Sequence, residues 1–85
     1  MEGFQIVVLD KGFVYVGKVH RSGDLIYVEN AKNIRSWGTT SGLGELARGG
    51  PTPKTVLDFT GTVVAPFHAV VHLITTDPAK WPGNP

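Results

Sequence analysis

The sequence has no cysteine in its 85 residues, so no disulfide can tie the fold together and no thiolate can serve as nucleophile or metal ligand. It has little surplus charge. Eight Lys and Arg stand against seven Asp and Glu, a formal net charge of +1, too balanced for a protein whose work is coating a nucleic acid backbone. No apolar run approaches the ~18 residues of a membrane-spanning helix, and Met1-Glu2-Gly3-Phe4-Gln5 carries no basic leader. The expectation is a cytoplasmic protein with no membrane partner.

Catalytic patterns are also missing. The acids Asp10, Asp24, Glu29, Glu45, Asp58 and Asp77 are scattered, and no pair has the spacing of an acid and a base working on one substrate. Ser22, Ser36 and Ser41 lack the strand-turn-helix elbow of a serine nucleophile. His68 and His72 share a strand face but stand about 13 Å apart, too far for one metal, and His20 has no partner at ligand spacing. The sequence therefore predicts no enzyme, no metal and no cofactor. Asp58, inside an apolar strand, is the one acid that asks for an explanation.

What is present is a series of short β-branched runs. Phe4 to Leu9, Phe13 to His20, Leu25 to Asn30, Thr55 to Ala65 and Ala69 to Thr75 each read as strand, and turn residues separate them. Gly17 predicts a bulge or sharp bend, and Gly61 either bends a long strand or divides it in two. The one helical signal is Gly42 to Arg48, where Leu43, Leu46 and Ala47 form a stripe, Ser41 can cap the start and Gly49 can take the left-handed end. From Asp77 to Pro85 three prolines argue against regular structure, with Trp81 able to pin that tail to the body. The chain thus predicts one mainly β domain of five or six strands, a small, strongly bent antiparallel sheet or a partly open barrel of SH3 or Sm-like type. One short helix would lie in a long glycine-rich loop.

That loop, within the stretch Asn33 to Lys54, holds five of the eleven glycines. Glycines cost entropy when ordered, so such a density implies sharp turns or close backbone approach. Gly38, Gly42 and Gly44 can aim backbone N–H groups at an anion, and Thr39, Thr40 and Ser41 add hydroxyls. Arg35, Arg48 and Lys54 supply charge, and Trp37 a face for a base. These ten residues are the candidate ligand site for a small nucleotide or other phosphate-bearing ligand. The alternative is that the glycines only shape an ordered loop packed on a neighbouring subunit. A Walker A loop is excluded, because Gly50 stands where lysine is required. The short chain, and strands apolar on both faces such as Ile6 to Leu9, predict a homo-oligomer or else a buried central strand.

The string Asn-Ile-Arg-Ser-Trp-Gly-Thr-Thr-Ser-Gly-Leu-Gly-Glu-Leu-Ala-Arg-Gly-Gly-Pro, with Thr-Val-Leu-Asp and Gly-Thr-Val-Val-Ala-Pro-Phe-His-Ala-Val after it, resembles a family of small bacteriophage and prophage proteins of no settled activity. That resemblance implies a phage or prophage setting. A second likeness, carried by Gly17, Ser22-Gly23-Asp24 and Pro66 to Val70, is to Sm-like proteins, and it implies a ring that binds RNA through loops. The leading expectation is a non-catalytic, homo-oligomeric module that binds an anion in its loop, by analogy a nucleotide sponge acting against host defence. A structural or virion-contact protein comes next, then an RNA-binding ring.

Overall fold

The computed structural model describes residues 3–81. Five strands, β1 (Gly3–Leu9), β2 (Val14–Ser22), β3 (Leu25–Ser36), β4 (Val56–Pro66) and β5 (Val70–Thr75), form one sheet in the order β4-β3-β2-β1-β5 with every neighbour antiparallel. The sheet is bent but does not close into a barrel, so β4 and β5 are its two edges. Among the described residues a single α-helix, α1 (Leu43–Gly49), occupies the β3–β4 connection, one residue later than the periodicity suggests. Three 3₁₀ turns complete the described chain, and one of them, Pro78–Lys80, gives the proline-rich tail a regular turn that the sequence argued against. Residues beyond Trp81 lie outside the described residues.

Two apolar clusters stabilise the sheet, one on each face. Ile6, Val14, Val16 and Ile34 meet Leu46 and Ala47 of α1 and Trp81 on one side. Val7, Leu9, Val19, Ile26, Val28, Ala31 and Ala65 pack on the other, where the bent sheet folds over itself. Alternate residues of β1 thus enter different clusters, which is why Ile6 to Leu9 shows no polar face. The doubly apolar strand is a buried central strand, between β2 and β5, and needs no second subunit to explain it. The seven largest of the almost fully sequestered side chains, among them Ile6, Ile26 and Leu46, each contribute about 1.5–3 kcal/mol of burial.

The bends come from identifiable irregularities. At Gly17 the β2–β3 register shifts, and a Cβ there would stand 2.8 Å from both the Glu29 carbonyl and the Val28 side chain, so glycine permits the strands to close. Asn30 (φ 51°) is an extra residue on β3, and Thr60, beside Gly61 (φ 96°), is an extra one on β4. β4 therefore stays one strand through Gly61. β3 likewise runs on past Asn30 to Ser36, so Asn33 to Ser36 belong to the sheet, not to the loop.

Candidate functional site: the glycine-rich loop

Arg35 projects from the end of β3 and meets Asp58 of β4 across the ladder, its Nε 2.8 Å and its Nη2 3.3 Å from the two carboxylate oxygens. The hydrogen bonds and charge of Asp58 raise the guanidinium pKa above its ordinary value. This forked pair accounts for a carboxylate in an apolar strand, and it commits Arg35 to a partner within the fold.

Downstream, the loop is bonded to itself. Trp37, 44% exposed, accepts from the Thr55 hydroxyl through its carbonyl at 2.7 Å, and the Gly38 carbonyl accepts from the Thr52 hydroxyl at 2.8 Å. Gly38 (φ 68°) lies so close to Lys54 and Thr55 that a Cβ would overlap their backbone. The Thr39 hydroxyl donates to the Gly42 carbonyl at 2.8 Å. The Thr40 hydroxyl and the Ser41 N–H both donate to Glu45, at 3.2 and 2.9 Å. Ser41 therefore caps nothing with its side chain; Glu45 reaches back from the first turn and occupies the donors that a phosphate would use. The helix cap is Gly42 (φ 87°), over which the Trp37 ring lies, and at the other end the positive φ belongs to Gly50 and not to Gly49.

Among the ten candidate residues, Thr40 and Ser41 converge on Glu45, Trp37 meets Gly42, Gly38 packs on the backbone of Lys54, and the Arg48 guanidinium lies back towards Gly44. Arg35 points instead to Asp58, so the two arginines have different neighbours. A cavity does exist close by, lined by Phe4, Val16, Lys32, Pro51, Leu57 and Trp81, but it includes none of the ten. Its volume of about 60 Å³ falls far below the ~300–1,000 Å³ of ordinary small-molecule pockets.

The back of the loop is fastened by the tail. Trp81, buried, donates its indole N–H to the Ala47 carbonyl at 3.0 Å, and the Asp77 N–H reaches the same oxygen at 3.1 Å. Trp81 pins the tail, as its position in the sequence suggested, and the phenyl ring of Phe4 lies 5.8 Å from it. The roles of Glu45, Thr52 and Thr55 have no sequence signature, because each depends on a partner brought up by a turn.

Elsewhere, His20 stacks on Tyr27 at 4.9 Å and pairs with Glu29 at 2.7 Å, on the open face of β2 and β3. Among the described residues no three His, Asp or Glu side chains gather where they could hold a metal ion. Among the described residues, too, no helix is long and apolar enough to cross a membrane. Compared with protein-family models, curated proteins and solved structures, the chain matches none.

Proposed function

We propose that this protein is a non-catalytic interaction module that works as a homo-oligomer, its glycine-rich loop serving as a rigid scaffold. One observation carries the reading. The edge strand β4 leaves Phe59 70% and Val64 51% exposed, on a rim of sheet against which no further strand lies among the described residues. The phage or prophage setting implied by the loop string is part of this proposal and rests on that resemblance alone. Light scattering or native mass spectrometry at micromolar concentration is expected to give a multiple of the 9.1 kDa chain mass. A single 9.1 kDa species would overturn the reading.

Nucleotide sequestration stands second. It is favoured by the half-exposed Trp37 ring, an aromatic face at the loop on which a base can stack. Calorimetric titration of nucleotides against the parent, W37A and R48A proteins separates the two. Binding tighter than about 100 μM that both variants lose would promote this second reading. Its absence, with intact assembly, leaves the loop as scaffold.

A further inference from the structure

The oligomer reading leaves open which surface joins the copies, and the features of β4 choose one. Natural sheet edges are blunted by lysine, by internal proline, by inward charge or by bulges that turn the edge aside. β4 spans eleven residues, Val-Leu-Asp-Phe-Thr-Gly-Thr-Val-Val-Ala-Pro, with no Lys or Arg and with its proline only at the end. Its one charge, Asp58, is neutralised by Arg35 from within the same chain. The opposite edge, β5, has six residues, and Val71 is an unpaired bulge in its ladder with β1. β4, although it too is bulged at Thr60, is the longer edge and leaves two large apolar side chains exposed, Phe59 and Val64, against Val71 alone on β5.

We propose that β4 pairs antiparallel with β4 of a second copy about a two-fold axis at Thr62, making one continuous ten-stranded sheet. The register follows from the bulge. Phe59 pairs with Lys32, Gly61 with Ala31 and Val63 with Val28, so Thr60 is the extra residue and Leu57, Phe59, Thr62 and Val64 share one face. With Thr60 bulged in both copies, side chains keep to matching faces when Thr62 meets Thr62, Gly61 meets Val63 and Phe59 meets Val64. Two aromatic-to-β-branched pairs then cover the exposed Phe59 and Val64 side chains of both copies. No charge meets its like across this seam, because Asp58 falls opposite Ala65, and a net charge of +1 per chain opposes association little. The inference rests on the homo-oligomer reading and narrows it to one surface.

The chain has no native cysteine, so engineered thiols report the seam alone. Opposed residues of an antiparallel pair have Cα atoms about 4.5–5.5 Å apart, within the span of a disulfide. Oxidised T62C is expected to run as a covalent dimer, and an equimolar mixture of F59C and V64C to form the mixed dimer, while V71C stays uncrosslinked. F59K, at a 70% exposed position, is expected to keep the parent circular dichroism spectrum and to raise the dimer dissociation constant about ten-fold or more. A protein that native mass spectrometry shows to be oligomeric, but in which T62C fails to crosslink or V71C crosslinks in its place, would overturn the β4 seam and leave the oligomer reading standing. A parent of monomer mass would remove both.

Discussion

A methyl group is the smallest probe of the loop, and Gly38 and Gly49 answer it in opposite ways. At Gly38 an added Cβ would overlap the Lys54 and Thr55 backbone in a left-handed conformation, whereas at Gly49 it would meet nothing within 4 Å, at a helical position without positive φ. Gly38→Ala is expected to destabilise by about 1–3 kcal/mol or more, and Gly49→Ala to stabilise by about 0.4–1 kcal/mol, both read from urea unfolding midpoints. Gln5 allows a third substitution: it is 7% exposed and its Oε1 has no hydrogen-bond partner, so Gln5→Met is expected to be neutral or to stabilise by about 1 kcal/mol. The density of glycine made an ordered loop legible in the sequence. Which glycine is obligatory was not, because the backbone that crowds Gly38 arrives from beyond the helix.

At the scale of elements, α1 is too short to persist alone and is held by what it buries. Leu46 and Ala47 face the sheet fully sequestered, and the Ala47 carbonyl is claimed twice by the tail. Trp81→Ala is expected to cost about 3–5 kcal/mol, while Trp81→Phe, which keeps much of the ring and loses the indole donor, should cost nearer 1 kcal/mol plus the packing difference. Thermal unfolding of the two variants separates the hydrogen bond from the filling of the core. The stripe Leu43, Leu46, Ala47 revealed this helix in advance. The far end of β3 stayed hidden, since the extra residue Asn30 breaks the two-residue alternation and Asn33 to Ser36 then reads as polar loop. The candidate anion site inherited that error, which placed Arg35 with Arg48 when the strand hands it to Asp58.

For the molecule as a whole, five short strands and a mainly β architecture were legible from alternation and turn residues, and Gly17 and Gly61 marked bends. The openness of the sheet was not, because closure depends on whether β4 and β5 meet, and a single chain's pattern does not encode the distance between its edges. The placement of β5 beside β1 has a consequence in time. Hairpins β1–β2 and β2–β3 join segments close along the chain, whereas Gln5 pairs with Thr75, and the Thr76 hydroxyl bonds the Phe4 carbonyl at 2.5 Å. Bringing these segments together requires closing a loop of nearly the whole chain, an entropic cost met before its contacts repay it. The β1–β2–β3 meander should form first and β5 should dock onto β1 late. Val28→Ala, in the meander, is therefore expected to slow refolding, whereas Ile74→Val, at the β1–β5 seam, should act mainly by speeding unfolding.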